Sequence, residues 1–150
     1  MKKKKIQNII ILSIAVIIIG AIIAYNYSVD TTKQKGLQFG NELSQIENEL
    51  SEIQNKFYSE KTKWAEGDIS KQELLKFYEE HVDNFQQTIS KYDKLTPPEL
   101  FQSSVILLKM SAETQLESDL QFIDWIKTGN EASKIRSDTL IQEAYEYQNL

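Results

Sequence analysis

Lys2, Lys3, Lys4 and Lys5 open the chain, and no further charged residue occurs until Asp30. That pattern constrains the chain more than any other. Between the two points, Ile6–Tyr27 holds ten isoleucines and four clearly polar side chains, Gln7, Asn8, Ser13 and Asn26. As a helix, these 22 residues reach roughly 33 Å, enough to cross the hydrocarbon core of a bilayer. The spacing predicts a cytoplasmic basic tail over residues 1–5 and a transmembrane anchor over residues 6–27. Basic residues favour the cytoplasmic side, and Tyr25 and Tyr27 suit the outer interface. A cleaved signal peptide also starts basic and continues apolar, but it ends in small residues at −3 and −1. The best cut, after Ala24, puts Ile22 at −3, so an uncleaved anchor fits better. Either reading puts residues 28–150 outside the cytoplasm.

Composition narrows the chemistry of that outer part. The 150 residues include no Cys, one His (His81) and one Arg (Arg136). Without Cys there is no disulfide, thiolate metal site, covalent haem motif, lipidated cysteine or Cys nucleophile. One His excludes the paired Glu-x-x-His motifs of di-iron bundles. A non-covalent haem between His81 and Met110 is disfavoured, because the two project from different faces of their helices. His81 falls off the main apolar stripe and is expected to be solvated or to serve as a cap. Of the 17 basic residues four lie in the tail, leaving 13 against 22 acidic ones, a net charge of −9. Such a surface repels nucleic acid and keeps a domain soluble. No catalytic, cofactor-binding or metal-binding constellation is expected, and the chain reads as a non-enzyme.

The outer domain reads as all-α, an antiparallel four-helix bundle with helices near 38–65, 71–94, 97–128 and 131–148. In the first, Phe39, Leu43, Ile46, Leu50, Ile53 and Phe57 follow a 4-3-4-3-4 rhythm near a period of 3.5, continued to Trp64 with Glu60 filling the one gap. Gly67 marks its end, while Gly36 and Gly40 weaken its start and predict a join or kink near 28–40. Ile69-Ser70-Lys71-Gln72-Glu73-Leu74 and Leu95-Thr96-Pro97-Pro98-Glu99-Leu100 each read as a capping box within a hydrophobic staple. The second stripe is Leu75, Tyr78, Val82, Phe85, Ile89 and Tyr92. The third is Phe101, Val105, Leu108, Ala112, Gln115, Asp119, Phe122 and Ile126. Gly129-Asn130 turns the chain into a last helix whose apolar side is Ile135, Leu140, Ile141, Ala144 and Tyr147. No sustained alternation or hairpin dipeptide signals a strand. Short loops make sequential helices antiparallel neighbours, which brings Trp64 and Trp125 together at the tip far from the anchor.

Two clusters stand out. Four consecutive apolar residues, Val105 to Leu108, cannot all face one core, and the short last helix leaves this region uncovered. Leu100, Phe101, Val105, Ile106, Leu107 and Met110 are therefore expected to form an apolar patch near the membrane. It would be covered by lipid headgroups or the anchor junction, or would dock on another membrane protein; a homo-oligomer is compatible with the same patch. Gln115 and Asp119 interrupt the third stripe, and Arg136 lies about one turn away across the last loop. They predict either a polar layer that fixes helix register or a small-ligand pocket.

The lysine start, the isoleucine-rich span and the helical outer domain with Leu95-Thr96-Pro97-Pro98-Glu99 together resemble uncharacterised single-span helical proteins of ammonia-oxidising archaea. The resemblance implies an accessory subunit of a membrane complex, such as an ammonia monooxygenase, and carries over no catalytic residue. The expected function is thus a non-catalytic, membrane-anchored interaction protein docking on a membrane partner. The alternative is an extracytoplasmic module that binds or senses a small ligand and signals through a partner.

Overall fold

The computed structural model describes residues 30–150, with side chains from Lys33 onward. The anchor expected over residues 6–27 lies outside the described residues. Among the described residues no helix is long and apolar enough to cross a membrane.

Four α-helices follow one another, with no strand among the described residues: α1 (Asp30–Glu66), α2 (Lys71–Ile89), α3 (Gln102–Thr128) and α4 (Glu131–Gln148). α1 runs unbroken from Asp30 through Gly36 and Gly40, so no helix break falls at the two glycines; residues 28 and 29 lie outside the described residues. Phe39 and Leu43, both buried, tie this stretch to the core, and such packing outweighs the weak helix propensity of two glycines.

α1 ends in a Schellman motif. The Asp68 N–H donates to the Lys63 carbonyl and the Gly67 N–H to the Trp64 carbonyl, with Gly67 at φ +84°. A side chain is strained in that left-handed region, which is why glycine terminates the helix. α2 then starts with the expected box: the Glu73 N–H donates to Ser70 Oγ at 3.2 Å, and the Ser70 N–H donates to Glu73 Oε2 at 2.7 Å. The bond from the Ser70 N–H, and after it the Ser70 hydroxyl, hold the Glu73 carboxyl below its ordinary pKa.

The second expected box does not form. α2 gives way to a 3-10 turn at Ser90–Lys94, residues 95–98 are extended, and a short 3-10 turn at Glu99–Phe101 precedes α3. The cause is the proline pair. A residue before proline is driven from helical to extended geometry, so Pro98 keeps Pro97 out of the first helical position. Pro98 itself sits at φ −55°, ψ 149°, and no side chain caps the turn that follows.

The core has two parts. One joins Phe39, Leu43, Ile46 and Leu50 of α1 with Phe85 and Ile89 of α2, Tyr92, Phe101, and Val105, Leu108, Ala112 and Leu116 of α3. The second gathers Phe57, Tyr78 and Ile123 nearer the α1–α2 and α3–α4 turns. Trp64 and Trp125 meet edge-to-face at 6.1 Å beside those turns, as the antiparallel layout requires.

Of the apolar side expected for α4, Leu140 and Ala144 are buried and Ile141 and Tyr147 half-buried, but Ile135 lies outside it. Ser133, Ser137, Leu140 and Ala144 are buried, whereas Ile135 is 66% exposed. Small side chains let the α3 and α4 backbones approach until serines reach across. Ser111 Oγ donates to the Ala144 carbonyl and Ser118 Oγ to the Ser137 carbonyl, each at 2.8 Å.

Candidate functional site

Buried polar side chains concentrate where α1, α2 and α3 meet. Asp119 on α3 is 2% exposed, and His81 on α2 is likewise 2% exposed. His81 Nε2 is hydrogen-bonded to Asp119 Oδ2 at 2.8 Å, and Gln54 Nε2 of α1 donates to Asp119 Oδ1 at 3.3 Å. One carboxylate thus ties three helices together. The His81 ring stacks on Phe57 with centroids 4.3 Å apart and planes 18° apart. His81 is therefore not solvated: it belongs to the core. The helix rhythm explains why. Counting from Leu74 in steps of four and three leads through Tyr78 to His81, Phe85, Thr88 and Tyr92, all buried. The expected stripe has Tyr78, Phe85, Ile89 and Tyr92 buried and departs from this face at Leu75 and Val82, which are half-buried beside Leu74 and His81.

Gln115 is buried as expected and donates from Nε2 to Ser111 Oγ at 3.2 Å. Arg136 does not join the layer. It stays on the surface, 3.1 Å from Glu143 and 3.9 Å from Glu117. α4 presents its serine face inward, so the neighbouring arginine points along the outside. Asp119 takes its partners from α1 and α2 instead.

Beside this layer lies a cavity of about 30 Å³ between α1, the Ser90–Lys94 turn, α3 and α4. Glu47, Gln54, Tyr58, Tyr92, Gln115 and Gln148 line it together with Ser51 and Asn55. Tyr92 donates its hydroxyl proton to Glu47 Oε1. Burial raises the Glu47 carboxyl to about 7, although the bond from Tyr92 opposes the rise. Burial also raises the Tyr92 hydroxyl, reinforced by the Glu47 charge. Tyr58 is raised by burial and then by the Asp119 and Tyr145 groups. Gln54 Oε1, Gln148 Oε1, His81 Nδ1 and the Tyr78 hydroxyl are buried with no hydrogen-bond partner. A shallow open groove of about 200 Å³ lies between α1 and α2, walled by Glu49, Glu52, Ile53, Asn84, Gln87 and Lys91.

The expected apolar patch divides. Phe101 and Val105 turn inward and are core residues; Phe101 packs against Phe39 with ring centroids 6.0 Å apart. Leu107 is half-buried. Leu100 (61%), Ile106 (60%) and Met110 (36%) remain exposed. The helical turn forces this outcome, since Val105 and Leu108 share the inward face and Ile106 must then point away.

Among the described residues no group of three or more His, Cys, Asp or Glu side chains is placed to hold a metal ion. No Cys is present. The single imidazole is enclosed against Asp119 and Phe57, with no nucleophile hydrogen-bonded to it. Compared with protein-family models, with curated proteins and with solved structures, the chain matches none.

Proposed function

We propose that the chain is a non-catalytic, membrane-anchored helical interaction protein. In this reading residues 6–27 hold it in the bilayer, and the extracytoplasmic bundle docks on another membrane protein through the outward face of α3. The supporting observation is the pattern of that face. Ile106, Met110, Glu113, Glu117 and Leu120 repeat in steps of four, three, four and three, the rhythm of a helix–helix seam. Ile106, Met110 and Leu120 are 60%, 36% and 41% exposed, and the Glu113 and Glu117 side chains are each 53% exposed. Leu100, 61% exposed, extends the apolar end toward residue 30. Leaving such a stripe open costs solubility, and its usual occupant is a partner helix.

The alternative, a small-ligand module, draws less support. Sites for drug-sized ligands enclose roughly 300–1,000 Å³. The cavity beside the polar layer measures about 30 Å³, and the larger groove is open and about 200 Å³.

The test is site-specific photocrosslinking in native membranes. A photoreactive side chain at Ile106 or Met110 is expected to form an adduct with a membrane protein, and one at Asp138, on the surface of α4, is not. Adducts absent from both positions, or equally abundant from Asp138, would contradict the docking role.

A further inference from the structure

The outward face of α3 carries a charge pattern that an apolar docking seam alone does not explain. Ile106, Met110 and Leu120 make it apolar toward both ends. Glu113 and Glu117 occupy the two central positions of the same rhythm, with side chains open to solvent. Two cations stand beside them, and each is engaged elsewhere. Lys109 Nζ lies 3.8 Å from Glu113 but holds Asp93 at 2.6 Å. The Arg136 guanidinium lies 3.9 Å from Glu117 but holds Glu143 at 3.1 Å. Both distances to the seam are too long for hydrogen bonds. Among these six groups four carboxylates share two cations, and the seam pair is the less well matched. The next basic residue in the rhythm is Lys127, ten positions past Glu117 and so roughly 15 Å along the helix axis.

We infer that the occupant of this face is an amphipathic helix of another protein, one that sets two Lys or Arg side chains opposite Glu113 and Glu117, between apolar residues that meet Ile106, Met110 and Leu120.

The inference rests on the docking role and adds the chemistry of the partner. From Ile106 to Leu120 the seam runs roughly 21 Å, and its alternating steps of four and three are met by a helix of the same period. A partner apolar throughout would cover two carboxylates and give them no counter-charge, which is costly. A second copy of this chain fares no better. With two α3 helices parallel and in register, Glu113 faces Glu113 and Glu117 faces Glu117. With them antiparallel and Ile106 or Met110 set against Leu120, glutamate again meets glutamate, and like charges facing across an interface repel. A basic pair turns both carboxylates into interfacial ion pairs. The apolar ends then supply the burial, and the acidic centre rejects partners that lack the matching charge.

The experiment uses two designed helical peptides of about four heptads, with leucine at every seam position except the two central ones. Those two are lysine in one peptide and glutamate in the other. The symmetric pattern matches the face in either helix direction. Each peptide, fluorescently labelled at trace concentration, is titrated with the full chain in nanodiscs of zwitterionic lipid, and empty nanodiscs give the background. The lysine peptide is expected to bind at least about ten-fold more tightly than the glutamate peptide, with the ratio shrinking at high salt. Replacing both acids, Glu113→Lys with Glu117→Lys, is expected to reverse the preference. The natural chain carries a net charge of −5 and stays net negative after this change, so general acidity cannot produce the reversal. If that variant does not fold, Glu113→Gln with Glu117→Gln is expected to bring the two affinities within about two-fold of each other. Equal binding of both peptides, or a lysine preference of unchanged size in either variant, would overturn the basic partner and leave the docking role standing. Binding of neither peptide would overturn both.

Discussion

The imidazole of His81 on α2 and the carboxylate of Asp119 on α3 are joined at 2.8 Å, with side-chain exposures of 0% and 3%. Burying two such groups is costly unless each satisfies the other, and Gln54 supplies the remaining bond to the carboxylate. The network thus fixes one mutual height for α1, α2 and α3.

Breaking the pair from one side strands the other group in the core. Asp119→Ala is expected to lower stability by about 3–5 kcal/mol, read as a lower urea midpoint. Replacing both residues with leucine is expected to cost less than the two single changes together. A strictly additive cycle would show that the two groups do not act as a pair.

The Glu47 carboxyl makes stability pH-dependent. Burial raises it from 4.5 to about 7 in the folded chain. Between those values the folded state binds more protons than the unfolded one, so stability falls as pH rises through that window. The contribution is fully present below about pH 4.5 and lost above about pH 7, at most about 3 kcal/mol and less where water reaches the half-buried side chain. The Glu47→Gln variant is expected to lose this slope. A wild-type profile that is flat or rises across the window, once Glu47→Gln is subtracted, would contradict the assignment.

The two sequence-identified helix starts are expected to respond unequally. Ser70→Ala removes an observed cap and should cost about 1 kcal/mol. Thr96→Ala lies in the extended segment before Pro97 and caps no helix, so its effect should remain within about 0.5 kcal/mol. Chemical denaturation of the two variants side by side provides the comparison; equal losses would mean that the second box forms after all.

The serine seam makes the opposite prediction from hydropathy. Ser137→Leu adds an apolar side chain where α3 and α4 nearly touch, and is expected to destabilise by about 1–3 kcal/mol through overpacking. Ile135→Ser removes an apolar side chain from the surface and should stay within about 0.5 kcal/mol. Thermal unfolding of the pair decides the matter, and stabilisation by Ser137→Leu would show that the helices are not tightly apposed.

Where apolar spacing alone decides the packing, the fold was legible in the sequence. The α1 and α3 stripes, the Ser70 box and the glycine stops at Gly67 and Gly129 all follow from periodicity and local backbone chemistry. The errors have equally specific causes. Hydropathy puts His81 outside because it counts no polar residue in a stripe, although the rhythm from Leu74 lands on it. It puts Ile135 inside because it does not register a serine that donates to a neighbouring backbone carbonyl. Pro98 cancelled a helix start that Pro97 alone would have favoured. Gln115 and Asp119 were recognised as a buried layer, but their partners lie on other helices, and chain spacing cannot choose between His81 and Arg136. The cavity was invisible for the same reason: Glu47, Gln54, Tyr92 and Gln148 come from three segments far apart in the chain.

Sidedness tests the anchored-bundle account most directly. The chain has no cysteine, so a single Cys introduced at exposed Lys63 or Asp138 can be probed in intact cells with a membrane-impermeant maleimide, and compared with one introduced at Lys4. The account predicts rapid labelling at 63 and 138, and labelling at 4 only after the membrane is permeabilised. Labelling at 4 in intact cells with 63 and 138 protected, or recovery of the full-length chain free of membranes, would contradict it.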